Sequence, residues 1–169
     1  LWTVDGMSRE CIPTPLYAHG MIYAVSGPKG PTLAIKPGGR GNVTESHVVW
    51  RNTRGAPFVP SAILVGDFYY LIDDQGIGTC LNAHTGERVW QKRFTGKYTA
   101  SPIAADGRIY FVNEAGLTTV IQAGVSNYVE LARNNVGEAV FASPSIAQRR
   151  LFIRTSRHLF CIGTAKSKR

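Results

Sequence analysis

The sequence has no acidic residue after Glu138, although Arg149, Arg150, Arg154, Arg157, Lys166, Lys168 and Arg169 all follow. The net charge of +8 is therefore concentrated in the last stretch of the chain. It reads as a solvated edge with a basic tail at 164–169, or as a surface for an anionic partner. No apolar run approaches the roughly 18 residues of a membrane-spanning helix. Cysteine is scarce: Cys11, Cys80 and Cys161 match no zinc spacing and contain no adjacent pair, so no disulfide framework is implied. Cys80 and Cys161 fall at equivalent strand positions and are expected to be small buried hydrophobes. The histidines His19, His47, His84 and His158 show no H-x-H or H-E-x-x-H spacing and read as surface or edge residues. A Gly-x-Ser-x-Gly elbow is also missing. Gly38-Gly-Arg-Gly41 does not lead from a strand into a helix, so it reads as a flexible turn and not as a dinucleotide fingerprint. No signal peptide is visible. The chain opens at Leu1 without an initiator Met, inside a strand-like pattern, which reads as a fragment or processed product.

What is present is a repeat. Tyr98 to Gly124 shows it best: Thr99-Ala-Ser-Pro102, a strand to Ala105, the turn Asp106-Gly107, a strand to Val112, the turn around Ala115-Gly116, and a third strand. Asp-Gly is a strong hairpin signal because a two-residue primed turn needs positive φ. Strand-opening prolines recur at Pro15, Pro60, Pro102 and Pro144, spaced 45, 42 and 42. A second-strand aromatic recurs at Tyr23, Tyr70, Tyr110 and Phe152, and a tryptophan closes the fourth strand at Trp2, Trp50 and Trp90, with Leu131 near the next such position. These aromatics are expected in the packing between repeats. A period of roughly 42 residues is that of a four-stranded propeller blade. The expected fold is all-β, a β-propeller of about four four-stranded antiparallel blades, at about 15–53, 60–94, 101–134 and 143–163, with an orphan fourth strand at 1–4. That strand can complete the last blade and close a small ring. Otherwise the four blades form half of an eight-blade ring, completed by a second half-propeller.

The pattern Ser-Pro-x-x-x-x-Gly-x-x-Tyr at 101–110, with Gly76 to Trp90 carrying Gly-x-x-x-x-x-x-Ala-x-Thr-Gly-x-x-x-Trp, resembles the pyrroloquinoline-quinone-like (PQQ-like) β-propeller repeat. The resemblance spans nearly the whole chain and departs from the pattern at Arg149, which stands at the usual turn glycine. Such repeats occur in envelope lipoproteins of the BamB kind and in quinoprotein dehydrogenases. The latter hold the quinone with a vicinal cysteine disulfide, a stacking tryptophan, and a calcium with a catalytic aspartate. This sequence has no Cys-Cys pair, so no quinone or other cofactor, no metal and no catalytic residue is assigned.

The expected function is a non-enzymatic scaffold for a protein or peptide partner, in the periplasm or secreted as the resemblance implies. Nucleic acid is not expected as a partner. The alternative is part of a quinoprotein-like oxidoreductase whose catalytic residues lie outside this chain. The insertion Lys36 to Ser46 is longer than the corresponding turn at Thr85-Gly86, and insertions of this sort map to exposed, often binding, loops. Arg40, Glu45 and His47 in and beside it, with Arg54, are the candidate contact residues. Asp73-Asp74 and Glu114 fall at equivalent turns and are expected to cap turn N–H groups. Ser101 and Ser143 recur before prolines, which argues for a structural role.

Overall fold

Alternating apolar residues and glycine-bearing turns fold the chain into a succession of short antiparallel meanders, seen in a computed structural model that describes residues 1–27 and 30–163. The tail expected at 164–169 lies outside the described residues. Blade one comprises β2 (Leu16–Ala18), β3 (Met21–Val25), β4 (Thr32–Ile35) and β6 (Val48–Asn52). Its insertion carries β5 (Gly41–Asn42) and a single helical turn, α1 (Thr44–His47). Blade two is β7 (Ile63–Val65), β8 (Phe68–Ile72), β9 (Ile77–Asn82) and β10 (Arg88–Arg93); blade three is β11 (Ile103–Ala105), β12 (Arg108–Val112), β13 (Leu117–Gln122) and β14 (Glu130–Asn135). Blade four has β15 (Ser145–Ala147), β16 (Arg150–Arg154) and β17 (Leu159–Ile162), a three-stranded sheet among the described residues. The sheets are propeller blades, and the fold is all-β as expected.

The first-to-second-strand turns have the required backbone. His19-Gly20 sits at φ +53° and +71°, and Asp106-Gly107 at +48° and +68°. Blade four turns on Gln148 and Arg149 at +50° and +60°, with no glycine to relieve the left-handed conformation. In an antiparallel meander successive turns alternate between the two faces. The turns β2–β3, β7–β8, β9–β10 and the insertion before β6 therefore share one face, while the β8–β9 and β12–β13 turns and the crossovers between blades share the other. At those latter turns Asp73 Oδ1 accepts the Gln75 and Ile77 N–H groups (3.0 and 2.7 Å), and Asp74 accepts those of Phe58 and Val59. Glu114 accepts the Thr99 hydroxyl at 2.6 Å instead.

Blades join through a relay. The N–H of Thr14 donates to Ser61 Oγ, that of Ser61 to Ser101 Oγ, and that of Ser101 to Ser143 Oγ, each at 2.9 Å. The repeated serines thus tie each strand opening to the next. The relay also corrects the register: Ala62, not Pro60, matches Pro15, Pro102 and Pro144, because Ser61 is the equivalent of Ser101.

The core lies between blades. Across the first seam Trp50 donates its indole N–H to Ala83 O at 2.8 Å and packs against Tyr23 and Tyr69. Its ring lies so close to Gly86 that a Cβ there would fall 2.6 Å from it. At the second seam Trp90 packs on Tyr70 and Tyr128, and Tyr70 accepts the Gly124 N–H. The third seam has no indole. Trp50 pairs with Ala34 and Trp90 with Cys80, and the residue in that register of blade three is Ala132, paired with Val120. Leu131 falls in the bulge, 47 % exposed, and is not the tryptophan equivalent. Buried clusters at the three seams hold ten, eight and three residues among those described.

Two further expectations change. Trp2–Thr3 forms β1 and pairs in parallel with β5, so it does not complete blade four. The insertion's strand edge captures it: Gly41 N–H donates to Leu1 O and Val43 N–H to Thr3 O. The pairing that a closed four-blade ring required is therefore not made. Cys80 is buried, but Cys161 is exposed, because β17 has no described strand or blade beyond it.

Beside the small apolar cluster of Val112, Val140 and Ile153, polar contacts dock blade four. Glu138, in the crossover before it, accepts the Thr155 hydroxyl at 2.5 Å, and Oε1 lies 2.7 Å from His158 Nδ1 and 3.3 Å from Arg157. The Thr155 bond first, then His158 and Arg157, holds the Glu138 carboxyl below the usual glutamate range. A carboxyl whose folded-state pKa is depressed contributes stability above its unfolded pKa, about 4.3, and that stability is lost as pH falls through the folded value. Amide protection in β16 and β17 is expected to fall with acid below that point. In Glu138→Gln it should be lower at neutral pH and change less with acid. Pulsed hydrogen exchange against pH checks both.

Candidate functional site

The insertion of blade one is built, not slack. The N-terminal segment clamps it: Asp5 N–H donates to Thr44 Oγ1 (2.8 Å), Asn42 Nδ2 donates to Asp5 Oδ2 (2.6 Å), and Asn42 Oδ1 accepts from the Thr44 backbone and hydroxyl. Val43 anchors the segment in the interior at 4 % exposure, and the Lys36 N–H closes the neck on His47 O at 2.8 Å. On this frame Arg40 and Glu45 are exposed, and half-buried His47 lies against Gly39 and contacts Ser46 Oγ at 2.8 Å. Arg54 is exposed but follows β6, while His47 precedes it. A five-residue strand spans about 17 Å. Arg40, Glu45 and His47 therefore gather on one face, and Arg54 lies toward the other.

On the same face as the insertion the structure brings together three residues that sequence spacing kept apart. His19 stands on the β2–β3 turn, Asp67 on the β7–β8 turn and His84 on the β9–β10 turn. Their ligand atoms lie within 4.8 Å of one another. The two imidazoles stack with centroids 4.6 Å apart, and His84 Nε2 lies 3.0 Å from Asp67 Oδ1. Backbone geometry fixes the tips: Ala83 N–H donates to Asp67 O at 2.8 Å, and Asn82 Oδ1 accepts the His84 N–H at 2.9 Å. Local motif scanning cannot find this group. The signal was that His19 and His84 fall in first-to-second and third-to-fourth turns of adjacent blades, which an antiparallel meander places on one face.

A cleft of about 490 Å³ opens at the third seam, between blades three and four. Its walls include Tyr110, Val120, Leu151 and Ile162, with Asp106 and Arg149 at the rim. Tyr110 is the register equivalent of Tyr23, Leu151 of Tyr69, and Ile162 of Leu81. The cleft thus lies in the register that Trp50 and its neighbours occupy at the first seam, where blade three carries Ala132 in place of an indole. Among the described residues no helix is long and apolar enough to cross a membrane.

A family profile described as outer membrane protein assembly factor BamB matches residues 39–127. The crystal structure of BamB from Moraxella catarrhalis is similar to this chain at a TM-score of 0.65 and 16 % identity, covering 85 % of this chain and 40 % of that one. Quinohemoprotein alcohol dehydrogenase from Comamonas testosteroni superposes at 0.68 and 16 % identity, over 89 % of this chain and 30 % of that one. Quinohemoprotein alcohol dehydrogenase ADHIIG from Pseudomonas putida HK5 gives 0.64 and 15 % identity, over 90 % and 29 %. At such identities the likeness is one of fold, and this chain spans less than half the length of each. No curated protein matches the chain.

Proposed function

We propose, because the chain belongs to the outer membrane protein assembly factor BamB family, that it is a non-enzymatic propeller scaffold of the cell envelope, periplasmic or secreted, that presents a rigid loop to a protein partner. The observation that carries this reading is the insertion of blade one. A flexible loop gives up conformational entropy when it binds, whereas one already held by β1, Asn42 and Thr44 gives up little. Arg40, Glu45 and His47 are the contact residues, and Arg54 falls outside their surface.

A photo-crosslinking residue placed at Arg40 or Glu45 of the full chain, in the cells that make it, is expected to give a discrete adduct with one protein. The same residue at Arg54 gives none. No adduct at either insertion position, or an identical adduct at Arg54, overturns the proposal. The fold likeness to quinohemoprotein dehydrogenases supplies the competing oxidoreductase reading. Titration with the quinone, read by absorbance, separates the two: a stoichiometric, calcium-dependent complex sinks the scaffold reading.

A further inference from the structure

We propose that His19, Asp67 and His84 form a binding site for a divalent first-row transition ion, with zinc the reference ion, that bridges blade one and blade two. Two imidazoles and one carboxylate are a donor set that suits zinc, copper and nickel. Calcium, which takes six to eight oxygens, is disfavoured by the paired nitrogens. Donor atoms around a tetrahedral zinc stand roughly 3.3 Å apart, as bond lengths near 2.0–2.2 Å require. The three here already lie within 4.8 Å of one another, on solvent-exposed side chains that have rotameric freedom to close on an ion. His19 is held on a left-handed turn, and the Asp67 and His84 turns are tied by the Ala83–Asp67 bond.

The site has a position as well as a composition. His19 comes from blade one, and Asp67 and His84 come from blade two, so an ion there staples the first seam from its solvent side. Three protein ligands leave the fourth, outward position of a tetrahedral ion open to water or to a side chain of a bound molecule.

The test uses zinc alone, in competition with a chromophoric chelator, on the full chain. One equivalent is expected to bind at micromolar affinity or tighter. His84→Gln and His19→Asn each weaken it by at least about tenfold, since loss even of an outer-shell partner costs that much. Asparagine is chosen at position 19 because it tolerates the left-handed turn. His47→Gln and His158→Gln leave binding unchanged. Cobalt supplies an independent readout: its visible bands are expected in the unaltered chain and absent in His84→Gln. Zinc also raises the thermal midpoint of the unaltered chain and not that of His84→Gln. Circular dichroism confirms that the turn variants are folded. Failure of the unaltered chain to take up zinc at micromolar concentrations, or uptake that survives both His84→Gln and His19→Asn, overturns the proposal.

Discussion

Replacing Trp50 with alanine is expected to destabilise the protein by about 3–5 kcal/mol, the range for deleting a buried tryptophan. The indole is 8 % exposed and occupies the centre of the first seam. Three losses combine. Its apolar surface leaves a cavity bounded by Tyr23, Tyr69 and the Gly86 backbone, which cannot collapse because both blades are rigid sheets. The Ala83 carbonyl loses its 2.8 Å donor. The contact between blade one and the β9–β10 turn, which carries His84, goes with it. For a domain of this size the thermal midpoint should drop by on the order of 10 °C. Trp50→Phe should recover part of this, since it restores ring volume but not the N–H. Trp90→Ala should cost less than Trp50→Ala, because Trp90 is only half-buried. Chemical denaturation of the three variants orders them. Equal losses for Trp50 and Trp90 would show that the seams do not differ as their packing indicates.

Asn113→Ala is expected to cost about 2–4 kcal/mol. The side chain is 2 % exposed and satisfies three backbone groups: Oδ1 accepts the Ala115 and Leu117 N–H groups at 3.0 and 2.9 Å, and Nδ2 donates to Thr95 O at 2.8 Å. Each net hydrogen bond is worth roughly 1 kcal/mol, and orphaned buried partners add roughly 1–3 kcal/mol. Asp73 occupies the equivalent turn of blade two and accepts the Gln75 and Ile77 N–H groups, but it is half-buried. Asp73→Ala is therefore expected to cost less, about 1–2 kcal/mol. Urea midpoints at unchanged slope measure both. An Asp73 loss larger than that at Asn113 would mean that the bond to Thr95 O contributes little.

The repeat was legible because its signals are local. Asp106-Gly107 needs only its own two φ angles, and Ser101 and Ser143 repeat with the blade, so strand number and order followed from spacing. Features that depend on register across a seam carry no such local signal. Pro60 has the sequence look of Pro102, yet the hydrogen bond to Ser101 Oγ puts Ser61 in phase. Leu131 has the size expected at the tryptophan position, yet the bulge in β14 moves that position to Ala132. Trp2–Thr3 resembles a fourth strand, but the carbonyls of Leu1 and Thr3 accept the N–H groups of Gly41 and Val43 at the edge of the insertion, a pairing set by tertiary position. The His19–Asp67–His84 group was invisible for the same reason: its members are separated along the chain and meet only because turns of adjacent blades interlock. Of the four expected contact residues, the three that share the insertion lie toward one face, and Arg54, exposed as expected, lies toward the other.

The small residue at Ala132 gives the molecule a direction. In a row of repeats each unit draws much of its cohesion from its neighbours, so the row parts first at its weakest joint. Here the joints weaken in chain order, from a fully seated indole, to a half-seated one, to an open cleft. Under heat or tension the joint between blades three and four should part before the joints among blades one to three. A pulling probe would meet less resistance at that joint than at the one held by Trp50.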